Sequence, residues 1–134
     1  MADIIKFAVP GNPEYIKVVR LGIAALADGA GFDIEAVEDM KLAVDEACKA
    51  MTCHGFHQWI NQYEVSCEIE EDKMTITVAD AGEGRGIDKK FRPCKNCPQD
   101  GDLAIILIKT LMDSVEIKCG DNDEKKSIVM VKNK

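Results

Sequence analysis

The 134-residue chain lacks a long apolar run, an excess of basic residues, and any repeat or low-complexity tract. No segment approaches the roughly 18 apolar residues of a membrane span. The start, "MADIIKFAVP", has neither the basic region nor the apolar stretch of a secretory signal peptide. The formal charge of −7 argues against nucleic acid as a partner, because phosphate contacts require a basic surface. The sequence predicts one cytoplasmic domain over residues 1–134, with partners that carry basic patches.

Six cysteines are present, and in the absence of an export signal reduced thiols are the expected state. Cys48, Cys67 and Cys119 fall at apolar positions of predicted helices and strands, which is typical of core thiols that take no part in chemistry. We therefore expect these three side chains to be buried.

Cys94 and Cys97 form a CxxC pair in the Pro-flanked stretch "RPCKNCPQ". One such pair supplies two of the four ligands that structural zinc usually needs. Cys53, His54 and His57 are the only other nearby ligand-type cluster in the sequence, and a dimer would allow two loops to be pooled. Zinc at Cys94 and Cys97 is one hypothesis; a redox pair or ordinary loop cysteines are the alternatives.

Three segments have the apolar periodicity of helices. The first begins at Pro13 and ends at Gly29 or Gly31. The second begins after a cap at Asp33 and continues to about Cys53. The third, "DLAIILIKTLMD", is so apolar that we expect it to be largely buried.

Five segments are predicted to be strands, and two of them alternate strictly between apolar and polar residues. These two, "YEVSCEIE" and "KMTITVAD", are separated by a hairpin-like spacing. Residues 3–8 precede the helices, and "SVEIKCG" and "KSIVMVK" follow them. The order β-α-α-β-β-loop-α-β-β predicts an α+β fold: a two-layer sandwich with the helices on one face of a mostly antiparallel sheet.

A carboxylate on the second helix and another at a strand end are candidates for chemistry. Glu46 shares a helix face with Ala50 and Cys53, apart from the apolar stripe. Asp80 ends a strand and is followed by closely spaced glycines in "VADAGEGRG". Taken separately, Glu46 would be interpreted as a solvated helix residue, and Asp80 with its glycines as a tight turn. Together they indicate a pocket.

Several ordered motifs resemble the anti-sigma factor serine-protein kinases of the GHKL ATPase superfamily, which have the Bergerat, or histidine-kinase-like, nucleotide-binding fold. "PEYIKVVRLGIAALADGAGFDIEAVEDMKLAVDEACKA" is similar to the first two helices of that family. "VADAGEG" matches its DxGxG box, "LIKTLMDSVEI" the helix and strand after its second glycine box, and "KKSIVMVK" its last strand. The resemblance covers nearly the whole chain.

The resemblance implies roles for particular residues around a bound adenine nucleotide, ATP or ADP. Asp80 would accept a hydrogen bond from the adenine amino group. Gly82 and Gly84 would let the backbone approach the base, where a larger side chain would occupy its place. Glu46 would be the catalytic general base that takes the proton from an attacking hydroxyl. Ser127 stands where the family often has a threonine near the adenine.

Two departures from the family pattern affect the phosphate half of this site. Ala50 stands where the family has an asparagine whose oxygen holds Mg²⁺, and phosphoryl transfer depends on that cation. The second glycine box, normally like GxGLGL, reads "GDLAII". Gly101 remains there for cofactor binding, whereas Asp102 would place a negative charge beside the phosphates.

The resemblance also implies partners: a sigma factor, an anti-anti-sigma protein of the STAS type, and a second copy of the chain in a homodimer. Arg20 lies where the family has a basic residue and would anchor a partner carboxylate; a solvated arginine is the alternative.

We interpret the chain as a bacterial anti-sigma-factor-like regulator of transcription with impaired ATP binding and kinase activity. An active serine-protein kinase acting on an anti-anti-sigma factor is one alternative, and a metal or thiol sensor using the CxxC loop is another.

Overall fold

The computed structural model describes residues 2–11, 13–51, 62–80, 101–118 and 127–134. Its helices and strands follow the predicted order, β-α-α-β-β-α-β-β. Their bounds are β1 Asp3–Pro10, α1 Ile16–Gly29, α2 Ile34–Met51, β2 Gln62–Ile69, β3 Lys73–Asp80, α3 Leu103–Leu111, β4 Ser114–Lys118 and β5 Ser127–Asn133.

The strands form one sheet in the order β1-β2-β3-β5-β4, and every described pair of neighbours is antiparallel. The alternation of apolar and polar residues explains the sheet, because every second side chain of β2, β3 and β5 enters the core. The fully buried set is Tyr63, Val65, Cys67, Met74, Ile76, Val78, Ile128 and Met130. This arrangement confirms the predicted α+β class and the mostly antiparallel sheet.

The cap predicted for the second helix is present. The Asp33 carboxylate accepts a hydrogen bond from the backbone N–H of Ala36 at 2.8 Å, which satisfies one of the orphan donors of the first turn of α2. Gly31 has a φ of +94°, a conformation that glycine adopts readily and that turns the chain between α1 and α2. The buried side of α2 consists of Val37, Met40, Ala43, Val44, Ala47, Cys48 and Met51.

The first helix starts later than predicted. Residues Pro13–Tyr15 form a 3₁₀ turn, and the α-helix itself begins at Ile16. Tyr15 precedes it with helical dihedrals and makes no side-chain cap bond. Tight turns of this kind are common at helix N-termini, so proline opens the turn rather than the α-helix. Of the two predicted ends, Gly29 and Gly31, the helix ends at Gly29.

The expectation that α3 is largely buried is wrong. Only Ile105, Ile108 and the adjacent Met112 are buried there, whereas the Leu103, Ile106 and Leu107 side chains are 82%, 48% and 38% exposed. The helix packs mainly against α2, so only one side of it is covered in the described part of the chain. None of the described helices is both long and apolar enough to cross a bilayer.

Gly22, in the middle of α1, lies against the Phe7 ring of β1. A Cβ at residue 22 would be 2.7 Å from two ring carbons, whereas a Cβ at Gly29 of the same helix would meet no atom within 4 Å. Alanine in place of either glycine gains about 0.4–1 kcal/mol from the unfolded chain, but Gly22→Ala also overpacks the β1–α1 contact. We expect Gly22→Ala to be about 1–3 kcal/mol less stable to urea than Gly29→Ala. Equal stabilities would mean that the ring moves aside freely.

Candidate functional site

The end of the sheet at Asp80 brings two predicted site residues together. Asp80, the last residue of β3, pairs with Tyr63 of β2, and the preceding Ala79 pairs with Ser127 of β5. Antiparallel neighbours are about 5 Å apart, so the Asp80 backbone and Ser127 lie side by side. The register therefore places the last residue of β3 and the first residue of β5 at the same end of the sheet.

Lys132 fixes how the helices run relative to this sheet. Its ammonium donates to the Asp39 carboxylate of α2 at 3.2 Å and to the Leu111 carbonyl, at the C-terminal end of α3, at 2.6 Å. Lys132 itself pairs with Met74, near the opposite end of the sheet from Asp80. The start of α2 and the end of α3 therefore lie at that opposite end.

The remaining predicted residues consequently lie towards the Asp80 end. Glu46 is seven residues beyond Asp39, about 10 Å along α2, and Ala50 is one turn further. Asp102 is nine residues before Leu111, about 13 Å back along α3. The fold thus directs Glu46, Ala50, Gly101, Asp102, Asp80 and Ser127 to one end of the two-layer sandwich.

Glu46 and Ala50 form the part of the site that bears on phosphate chemistry. Both side chains are half-buried and lie beside the core stripe of α2 rather than in it. The spacing of four residues places them on one face of the helix. Ala50 ends in a methyl group, so its side chain has no oxygen with which to ligate a cation. The residues present do not fit the Mg²⁺ position of the resembled family.

Asp102 is the N-cap of α3. Its dihedrals are extended, and its backbone carbonyl accepts the first helical hydrogen bond from Ile106 N at 2.9 Å. Its carboxylate is exposed at the positive end of the helix dipole, where an anionic ligand would also bind. Gly101, just before it, has no atom within 4 Å of an added Cβ, so the space beside it is open. The aspartate therefore supplies negative charge where phosphates would need positive potential.

Several predicted residues lie outside the described residues: Gly82, Gly84, Cys94 and Cys97, as well as Cys53, His54, His57 and Cys119. Zinc binding at Cys94 and Cys97 stays a prediction. In the described ranges, no group of three or more His, Cys, Asp or Glu side chains is arranged to hold a metal ion.

Cys48 and Cys67 are buried, as predicted. Burial raises the pKa of the Cys67 thiol to about 12. Burial, and then the nearby Asp45 charge, raise the pKa of Cys48 to about 12 as well. Both side chains remain protonated thiols at neutral pH, which makes them unreactive core residues.

Arg20 is paired within the chain rather than simply solvated. Its Nη1 lies 3.5 Å from Oδ1 of Asp45 on α2, and Lys49 Nζ lies 2.9 Å from the other carboxylate oxygen. The sequence reasoning did not identify Asp45 or Lys49 as parts of a site. Their i,i+4 spacing on a helix was the available signal, whereas the partner on α1 is set by packing.

A cleft of about 370 Å³ lies at the other end of the sandwich, lined by residues that include Phe32, Asp39 and Lys132–Lys134. None of the predicted site residues lines it, and its polar groups include the Lys132–Asp39 pair that joins β5 to α2.

The class of protein follows from a sheet with its helices on one face, in which β3 ends at Asp80 towards the same end of the sandwich as Glu46 of α2. The chain belongs to the histidine kinase-like ATPase domain family, whose model matches residues 9–132. It is similar to the serine-protein kinase RsbW of a Bacillus cereus strain, with 31% identity over 137 residues, covering 96% of this chain and 83% of the relative. It is also 32% identical over 126 residues to the serine-protein kinase RsbW of Bacillus subtilis (strain 168), covering 87% of this chain and 79% of that protein.

Proposed function

We propose that this chain is an anti-sigma-factor-like regulator that controls transcription by binding proteins, and that its ATP binding and phosphoryl transfer are impaired. Membership of the ATPase family and similarity to proteins named serine-protein kinases support the general role. The partners we expect are a sigma factor and a STAS-type anti-anti-sigma protein, with the chain itself acting as a homodimer.

The impairment is carried by one observation: Ala50 lies one helical turn beyond Glu46 on the same face of α2. A general base is effective only when the charge on the transferring phosphate is also stabilised. With a methyl group at residue 50, that side chain offers no ligand for a cation that would supply this stabilisation. The Asp102 carboxylate at the start of α3 adds repulsion.

A second candidate function, an active serine-protein kinase, is favoured by the names of the relatives. Glu46 would then be the base for a serine of the anti-anti-sigma partner. The two candidates are separated by incubating the chain with labelled ATP, Mg²⁺ and candidate STAS proteins of the same organism. Sigma-factor binding without phosphate transfer supports the regulator, whereas transfer that Glu46→Gln abolishes supports the kinase.

Calorimetry with ATP and Mg²⁺ tests the impairment directly, and we expect weak or absent binding. Micromolar affinity together with phosphate transfer to a partner would contradict the proposal.

The adenine half of the site, for which we expect Asp80, Gly82, Gly84 and Ser127, should give residual binding of ADP, to which Gly101 of the phosphate half would add. Asp80→Asn should weaken that binding about tenfold or more, because hydrogen bonds to charged groups contribute about 1.5–3 kcal/mol. Asp72→Asn is the matched control, since Asp72 is exposed in the β2–β3 turn at the other end of the sheet. Titration of ADP, followed by NMR, measures both variants. Unchanged affinity in Asp80→Asn would indicate a pocket used for another ligand.

A further inference from the structure

The cleft at the end of the sandwich away from Asp80 contains an aromatic ring with a cation over it. The Lys134 ammonium lies 5.5 Å from the centroid of the Phe32 ring, a distance at which the face of an aromatic ring attracts a cation. Phe32 lines this cleft of about 370 Å³, yet it is only 6% exposed. The Lys134 side chain thus stands where the cation of a ligand would meet the ring.

The walls of the cleft are held by backbone hydrogen bonds that do not involve the Lys134 side chain. On one side, the Phe32 N–H donates to the Ala27 carbonyl at 3.2 Å and fixes the connection between α1 and α2. On the other side, the Lys134 N–H donates to the Asp72 carbonyl at 2.9 Å and fixes the chain after β5 against the β2–β3 turn. The ammonium can therefore leave the ring while both walls stay in place.

The charged groups that line the cleft favour a cation in the place of the Lys134 ammonium. Three carboxylates and two ammonium groups line it: Asp33, Glu35 and Asp39, with Lys132 and Lys134. The Asp39 carboxylate is neutralised by Lys132 at 3.2 Å. Asp33 and Glu35 remain, both exposed, and together they outweigh the roughly half positive charge of the helix dipole at the start of α2.

The charges next to the cleft have the same sign. The β2–β3 turn, which bonds the Lys134 backbone, carries three acidic residues and one basic residue: Glu70, Glu71, Asp72 and Lys73. These groups do not cancel the negative charge of the lining residues. The cleft therefore attracts cations, in keeping with the partners carrying basic patches that the charge of −7 predicts.

An organic cation suits this arrangement better than a metal ion. Over the ranges that the structure describes, no three His, Cys, Asp or Glu side chains converge to hold a metal. A guanidinium is planar, stacks on aromatic faces and has five N–H donors that can reach separate carboxylates. Arginine also makes cation–π contacts more often than lysine does. The ring and the two free carboxylates thus match a guanidinium.

We propose that the cleft beside Phe32 binds the guanidinium of an arginine in a basic segment of a partner protein, and that Lys134 is its tethered occupant in the isolated chain. The guanidinium stacks on the ring and donates to Asp33 and Glu35 once the Lys134 ammonium has moved into solvent. A volume of about 370 Å³ is small for a ligand pocket, so it suits one side chain of a longer segment. The site goes beyond the proposed function, because it requires neither a nucleotide nor a sigma factor.

The first test adds N-acetyl-arginine N-methylamide, which carries a single charge, to the 134-residue chain and follows binding by NMR. We expect shifts of the Phe32 ring protons and of the Gly31 amide, since a Cβ at residue 31 would lie 3.9 Å from Lys134 Nζ. The citrulline analogue has nearly the same shape without the charge and should bind about threefold more weakly or less. Equal binding of the citrulline analogue, or shifts that spare Phe32 and Gly31, would overturn the site. Equal or tighter binding of the lysine analogue would overturn the choice of a guanidinium.

Removal of the tethered occupant should tighten binding. In Lys134→Gln we expect the arginine compound to bind about threefold more tightly, because it no longer displaces an ammonium from the ring. Lys73→Gln is the matched control: it removes the same charge at the residue that pairs with Asn133, but Lys73 does not line the cleft. Its affinity should stay within about twofold of the native value. Equal tightening in both variants would be an effect of net charge and would contradict the role of Lys134.

The carboxylate and the ring should act in the opposite direction from Lys134. Glu35→Gln should weaken binding about threefold, whereas Glu38→Gln, on the same helix but outside the cleft, should change it less than about twofold. Phe32→Leu keeps an apolar side chain, removes the π face and should weaken binding about threefold, measured at the Gly31 amide. Urea unfolding checks that this variant folds, and the exposed Glu35 site supplies the result if it does not. Native affinity in Glu35→Gln would refute the proposal.

Discussion

Replacing Ala50 with asparagine is expected to make ATP binding dependent on Mg²⁺. The new side-chain oxygen would stand one turn beyond Glu46, on the helix face where a methyl group now stands. A carboxamide oxygen is a suitable ligand for a hard cation, and the cation would neutralise the phosphates. We expect Mg²⁺ to tighten ATP binding by about tenfold or more in Ala50→Asn, equivalent to about 1.4 kcal/mol. Calorimetry with ATP, in the presence of Mg²⁺ or EDTA, measures the difference.

Ala36→Asn is the matched control for this prediction. Ala36 is also a half-buried alanine of α2 that packs beside the core, but it lies near the other end of the helix. In Ala36→Asn, Mg²⁺ should not change the affinity for ATP. An equal Mg²⁺ effect in both variants, or none in Ala50→Asn, would show that residue 50 does not limit cation binding.

Asp102 would limit the improvement in ATP binding that Ala50→Asn produces by itself. Its carboxylate stands at the N-terminus of α3, so it would repel the phosphates even when a cation is held. Combining Ala50→Asn with Asp102→Asn keeps an N-cap side chain and removes the charge. ATP binding in the double variant should exceed that of Ala50→Asn, whereas the same affinity would mean that phosphate does not approach α3.

The sheet and the cap of the second helix were predictable because their signals are local. Strict alternation in β2 and β3 predicts which side chains share a face, and the buried residues of these strands alternate accordingly: Tyr63, Val65 and Cys67, and Met74, Ile76 and Val78. The Asp33 carboxylate accepts a hydrogen bond from an amide of α2 only three residues away, so its capping role can be predicted from the adjacent sequence. The end of α1 is likewise a local signal: glycines at residues 29 and 31 mark it, and the last helical residue is Gly29.

Features that depend on which elements meet in space were missed. The apolar sequence of α3 predicts a largely buried helix, but hydropathy does not indicate how many neighbours a helix has, and Leu103 is exposed. The contact of Arg20 with Asp45 joins residues 25 positions apart and depends on how α1 packs on α2. Convergence of Glu46, Asp80 and Ser127 on one end of the sandwich likewise required the sheet register and the direction of the helices.

Replacing Lys132 with methionine is expected to destabilise the fold substantially. The Lys132 side chain is 16% exposed, and its ammonium joins β5 to the Asp39 carboxylate of α2 and to the Leu111 carbonyl of α3. Methionine fills similar space but leaves both oxygens without this donor, which removes stabilisation of about 1–3 kcal/mol. Urea unfolding should show a lower midpoint with an unchanged m-value.

Lys41→Met is the control, because Lys41 contacts only the exposed Glu38 at 3.3 Å among the ion pairs described for it. Its free energy of unfolding should change by no more than about 0.5 kcal/mol.

The loss of stability in Lys132→Met should also be uneven across the fold, since the same ammonium holds the C-terminal end of α3. Amide exchange should therefore accelerate more in α3 than in β3, which lies in the middle of the sheet. Equal acceleration in both elements would mean that Lys132 stabilises the domain as a whole rather than the attachment of the helix that begins at the phosphate end of the site.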